Sequence, residues 1–267
     1  MKKIIFAIIA VLGVSYIQPA QAQSPKSLVI IDSYFDSKVT SSNVVCITLQ
    51  NTPCTNVVTG VNRSISHEFN HGNAMAEVAK RQGSSLSIIL LRSTVPSKAS
   101  VSAVNVGNFI DALNWVNNNS ANIGAVSVSR FFGNPNTACS PSSINTAAHG
   151  GVVQADLKVR ALIATLKSKG IPVFASTGNT QGAAVSYPAC ITDTVSVTTG
   201  SLNSSGSLQS LNAMDANTDY AGDNSVYNFT SPVFGLIPNT TSSSTVAVAS
   251  QYMLSGLSLT KVVKVTP

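Results

Sequence analysis

Few side chains in this 267-residue sequence are equipped for chemistry, and their spacing narrows what they can do. His67-Glu68-Phe69-Asn70-His71 has the pattern in which two imidazoles one helical turn apart bind zinc while the glutamate between them activates a water. That chemistry needs both histidines and the glutamate on one regular helix, with a third ligand. Residues 61–66 read as loop, Gly72 would fall inside the helix, and no third histidine lies at the short spacing of the extended motif. The metal-free reading is therefore preferred, with His71 and Gly72 opening a helix. Asp32 is a second candidate, because it ends the buried run Val29-Ile30-Ile31, and ligand chemistry in open α/β sheets gathers at the carboxyl ends of strands. His149, in Ala148-His149-Gly150-Gly151, reads as a loop histidine before a helix.

The elements that must position these residues alternate in type. Ser27 to Ile31, Leu86 to Leu91, Ile123 to Val128 and Ile171 to Ala175 are apolar runs of strand length, rich in β-branched residues. Between them, Asn73 to Arg81, Val104 to Asn117 and Val152 to Lys169 carry apolar residues at helical period. In the last of these Ala155, Leu157, Val159, Leu162, Ile163 and Leu166 form the apolar set, with Gly170 as C-cap. Val195 to Thr198 and Val233 to Ile237 are shorter strand candidates, and Gly200 to Asn217 reads as surface loop. Alternation of this kind predicts an α/β fold, a doubly wound, mostly parallel sheet with helices on both faces.

Met1-Lys2-Lys3, the apolar run Ile4 to Val14 and the small-residue site Ala20-Gln21-Ala22 have the layout of a secretory signal peptide over residues 1–22. Residues 23–267 are then expected to form one domain, secreted or periplasmic, with no membrane span after signal removal. The formal charge of +6 falls to +4 without Lys2 and Lys3, and no basic block occurs, so nucleic-acid binding has no support. A charged fraction of only 10% means a surface built largely from Ser, Thr, Asn and Gln. Four cysteines in an exported chain imply two disulfides, with three pairings open. The preferred pairing is Cys46 with Cys54, closing the loop Asn51-Thr52-Pro53, and Cys139 with Cys190, tying two loops near the candidate site.

Four stretches in order carry a resemblance: Val29-Ile30-Ile31-Asp32-Ser33, His71-Gly72-Asn73-Ala74-Met75-Ala76, Phe174-Ala175-Ser176-Thr177-Gly178-Asn179 and Asn239-Thr240-Thr241-Ser242-Ser243-Ser244. Together they resemble the signature blocks of the subtilisin-like serine proteases. Tyr187-Pro188-Ala189 and the region Phe109 to Gly133 extend the likeness over nearly the whole mature chain. The resemblance implies a triad of Asp32, His71 and Ser242, and an oxyanion hole from Asn179 and the Ser242 N–H. It also implies a substrate-binding edge that includes Ser129, Arg130 and Gly178. The roles agree with residue chemistry: a serine hydroxyl becomes a good nucleophile when a neutral imidazole takes its proton, and a buried carboxylate holds that imidazole's tautomer and offsets its charge. Peptide or protein is the implied substrate, with no cofactor and no metal required for the chemistry, and a monomer is expected.

Departures from the family pattern fall around the site. Tyr34, Ala74, Thr240, Ser244 and Val246 stand where the family usually has glycine, histidine, glycine, alanine and proline. Thr240 would put a side chain beside the nucleophile and narrow the cleft. Nine residues separate the expected cleavage site from Asp32, which leaves no room for the inhibitory pro-domain common in the family. Twenty-five residues follow Ser242, read as a helix containing Ala247 to Tyr252 and a strand at Lys261 to Val265. Arg130 suggests a preference for carboxylate-bearing substrates. The leading expectation is an exported serine endopeptidase; an inactive binding protein on the same scaffold and an esterase are the competing readings.

Overall fold

The computed structural model describes residues 26–32, 35, 43–54, 67–92, 105–130, 132, 139–142, 146–180, 183–202, 208–210, 220–223, 229–231, 235–237 and 240–255. The signal-peptide segment and the strand expected at Lys261 to Val265 lie outside the described residues. In chain order the main elements are β1 (Ser27–Asp32), β2 (Val44–Thr48), α1 (His67–Gln82), β3 (Ile88–Arg92), α2 (Val106–Asn118), β4 (Ile123–Val128), α3 (Val152–Ser168), β5 (Val173–Ser176) and β6 (Val195–Leu202). Then follow β7 (Leu208–Ser210), β8 (Tyr220–Asp223), β9 (Phe229–Ser231), β10 (Gly235–Ile237) and α4 (Thr241–Ser255).

Six strands run parallel in the order β2-β3-β1-β4-β5-β6. Beyond them β8 pairs with β6 in parallel and β7 antiparallel, while β9 and β10 form a separate hairpin ladder. From β1 the chain goes out to the edge strand β2, returns to β3 between them, and then crosses to β4 on the other side of β1. The carboxyl end of β1, where Asp32 sits, is therefore the switch point at which a crevice opens in such sheets. Continuous burial of every residue in β1, β4 and β5 explains why their sequences are apolar runs rather than alternating patterns.

Helices cover both faces. On one, α2 and α3 pack Phe109, Ile110, Leu113, Val116, Val159 and Ile163 onto Val29, Ile31, Val126 and Val128. On the other, α1 and α4 pack Met75, Val78, Ala79, Val246 and Ala247 onto Leu28, Ile30, Leu90 and Phe174. The fold class is the expected one, and β1 and β4 fall where their apolar runs place them.

Several boundaries differ from expectation. Helix α1 begins at His67, not at His71, because its first turn has Phe69 as its single apolar residue and so no apolar period to reveal it. Strand β2 was not foreseen; its alternating Val44-Val45-Cys46 suits an edge strand that faces solvent on one side. The expected surface loop Gly200 to Asn217 contains the end of β6 and all of β7. Leu157 is exposed, so the buried stripe of α3 is Ala155, Val159, Ile163 and Leu166. The C-cap of α3 is Lys169, and Gly170 follows it with φ 73°, in the left-handed conformation that ends many helices.

Candidate active site

Asp32 ends β1 with no solvent exposure, and its Oδ2 lies 2.7 Å from His71 Nδ1 in the second turn of α1. An ionised carboxylate only accepts, so Nδ1 donates, and an imidazole that is neutral while it does so has its lone pair on Nε2. The other oxygen of Asp32 is also engaged: Arg130 Nε donates to Oδ1 at 3.2 Å. Arg130 reaches it because β4 is the parallel neighbour of β1, which sets residues beyond Val128 beside residues at the end of β1. Arg92, paired in register with Asp32 on β3, is a second buried cation, and its Nη1 donates to the Phe35 carbonyl at 3.3 Å.

Ser242 occupies the second position of α4 and is 6% exposed. The turn that presents it is closed by reciprocal bonds around Thr240. Ser243 N–H donates to Thr240 Oγ1 at 3.4 Å, and Thr240 N–H donates to Ser243 Oγ at 2.9 Å, a capping-box arrangement with serine at the third position. The first N–H groups of a helix have no intrahelical acceptor, so the Ser242 N–H points out of the helix start as a donor. Its hydroxyl is given to the Ser129 carbonyl at 3.0 Å and not to His71.

Asn179 follows β5 and is exposed, while Gly178 before it is buried. Gly178 has φ 108°, a conformation that side-chain-bearing residues rarely adopt, and this turn swings Asn179 toward α4. Asn179 Oδ1 accepts from Thr241 N–H at 3.0 Å and from Thr241 Oγ1 at 2.8 Å. The amide oxygen is thus fixed on the residue before Ser242, which leaves Nδ2 as the outward donor. Two hydroxyls on the same strand ends, Ser129 Oγ and Thr177 Oγ1, are buried without a hydrogen-bond partner among the described residues.

The structure therefore joins Asp32 to His71, Asp32 to Arg130, Ser242 to Ser129, and Asn179 to Thr241. The two links from Arg130 and Thr241 escaped sequence reasoning. Thr241 had a signal in its position directly before Ser242, whereas the Arg130 link spans 98 residues and becomes visible only once β1 and β4 are known to be neighbours. The expected disulfides are both present, Cys46–Cys54 and Cys139–Cys190. His149 lies in a short turn before α3, its Nε2 3.9 Å from Asp111 Oδ1.

The zinc motif lies on helix after all, since α1 holds His67 to His71 and Gly72 within it. The side chains of His67 and Glu68 lie outside what is described. Among the described residues no group of three or more His, Cys, Asp or Glu is gathered closely enough to hold a metal ion.

No protein-family model and no curated protein matches the chain. Solved structures do. A cold-adapted subtilisin-like serine proteinase superimposes with a TM-score of 0.55 at 18% identity, covering 85% of this chain and 74% of that one. The nisin leader peptidase NisP of Lactococcus lactis gives 0.53 at 14% identity over 86% and 77% of the two chains. The prenylagaramide maturation protease PagA gives 0.53 at 16% identity over 87% and 75%. The chain has the fold of subtilisin-like serine proteases.

Proposed function

We propose that this chain is an exported serine peptidase that cleaves peptide bonds through an acyl-enzyme, with Asp32, His71 and Ser242 as its triad. The observation that carries the proposal is the 2.7 Å contact between His71 Nδ1 and the buried Asp32 carboxylate at the sheet's switch point. An imidazole held that way presents Nε2 as a base. In the proposed reaction the Ser242 hydroxyl leaves the Ser129 carbonyl and is given instead to His71 Nε2. As Ser242 Oγ attacks the substrate carbonyl carbon, its proton passes to Nε2. The oxyanion is met by the Ser242 N–H and Asn179 Nδ2, two donors held in place before the charge develops. His71 then protonates the leaving amine, and a water repeats the sequence to release the acid. Two disulfides are consistent with an oxidising compartment outside the cytosol.

One observation favours a second reading, an inactive binding protein on the same fold: the Ser242 hydroxyl is engaged by the Ser129 carbonyl. Catalytic hydrogen bonds are commonly loose in substrate-free enzymes and tighten on binding, so the first reading stands ahead. Fluorophosphonate labelling separates the two. Labelling of the purified wild type that is lost in Ser242→Ala establishes an activated serine; a folded wild type that is never labelled leaves the binding protein. The same assay with a chelator tests the zinc motif, because chelation abolishes hydrolysis by a zinc enzyme and leaves serine labelling intact.

A further inference from the structure

We infer that Arg130 is a positioning residue, which fixes the Asp32 carboxylate so that Oδ2 faces His71 and the imidazole keeps one tautomer. The inference rests on the triad reading above and deepens it. Asp32 is fully buried, and a buried carboxylate whose second oxygen is not held can turn, taking with it the acceptor on which Nδ1 depends. Arg130 meets that second oxygen with Nε, part of a planar donor set whose direction is fixed by the guanidinium. The side chain is 24% exposed against none for Asp32, so solvent reaches part of the arginine while the carboxylate it meets is sealed off.

The neighbouring residue ties this contact to the nucleophile. Ser129 offers its carbonyl to Ser242 Oγ, and Arg130 reaches Asp32, so one dipeptide after β4 holds both ends of the triad. A shift of that segment moves carboxylate and serine together. Recognition of a substrate carboxylate, the role suggested by sequence, would draw on the same guanidinium, whose Nε is already given to the protein's own carboxylate.

The test uses Arg130→Met, which keeps the length of the stem and removes the donors, and Arg130→Lys, which keeps the charge and removes the fork. Steady-state hydrolysis of neutral and acidic peptides is measured beside the 15N shifts of the His71 ring. In Arg130→Met, kcat falls on the order of 10- to 100-fold, as expected for a misplaced catalytic group. KM for both peptide classes stays within about twofold, and the ring nitrogens move from a single Nδ1–H tautomer toward an averaged pattern. Arg130→Lys falls between the two. An unchanged kcat and ring pattern, with KM raised for acidic peptides alone, overturns the inference in favour of substrate recognition. If the wild type hydrolyses nothing, the triad reading fails separately, and the ring pattern still decides: averaging in Arg130→Met supports positioning and no change refutes it. Should Arg130→Met not fold, the ring pattern of Arg130→Lys decides in the same way.

Discussion

The carboxamide of Asn179 has one end committed, since Oδ1 takes both the N–H and the hydroxyl of Thr241. Its value to a reaction is therefore the other end, Nδ2, held at a fixed place beside the start of α4. If Nδ2 serves the proposed oxyanion hole, Asn179→Ala should lower kcat by about 10²–10³, the usual size of loss when one oxyanion donor is removed, with KM little changed. Thr241→Val keeps the N–H anchor and removes the hydroxyl one, so it should cost about 1 kcal/mol of transition-state stabilisation, roughly a fivefold fall in kcat. Kinetics on one peptide substrate check both; a Thr241→Val loss as large as that of Asn179→Ala would mean that the hydroxyl itself meets the oxyanion. Asp32 and His71 were legible because local context marks them, a β-branched run before one and a glycine after the other. Arg130 and Thr241 were not, because they meet Asp32 and Asn179 through the sheet and across a helix start.

At the scale of elements, α4 shows how a sequence that reads poorly as helix becomes one. Ser and Thr compete with the backbone for hydrogen bonds, yet all ten residues from Thr241 to Ser250 are buried. Their hydroxyls are satisfied inside: Thr245 and Ser250 donate to the carbonyls of Thr241 and Val246, and Ser244 pairs with Thr199 of β6 at 2.7 Å. Tertiary packing overrides propensity here, so the stretch Ala247 to Tyr252 was readable as helix and the hydroxyl-rich start before it was not. Thr240, unusual for the resemblance, has a local explanation as the cap of this helix. Thr240→Ala should therefore cost about 1 kcal/mol in urea denaturation, and Thr240→Gly only a few tenths, since glycine is a tolerable cap. If the side chain instead narrows the cleft, Thr240→Gly would raise kcat/KM, whereas the capping role leaves it unchanged.

Across the whole molecule, the sheet order places the ends of β1, β4 and β5 side by side, and the two disulfides brace this arrangement unequally. Cys46–Cys54 closes a separation of 8 residues at the edge strand β2, where the turn is already held by backbone bonds between Thr48 and Thr52. Cys139–Cys190 spans 51 residues and ties the segment after β4 to the segment after β5, the two that carry Arg130 and Asn179 at their starts. The cost of leaving a loop open grows with the logarithm of its length, so the long bridge restricts the unfolded chain more. Replacing Cys139 and Cys190 together by alanine should lower stability by about 4 kcal/mol, against about 2.5 kcal/mol for Cys46 and Cys54, measured by denaturant titration of the two double variants. Equal losses would mean that native contacts around each bridge, rather than loop closure, set its worth. The activity of the two variants then locates the brace: if the long bridge also holds the site, its removal lowers kcat under conditions where both variants are still folded, and removal of the short one does not.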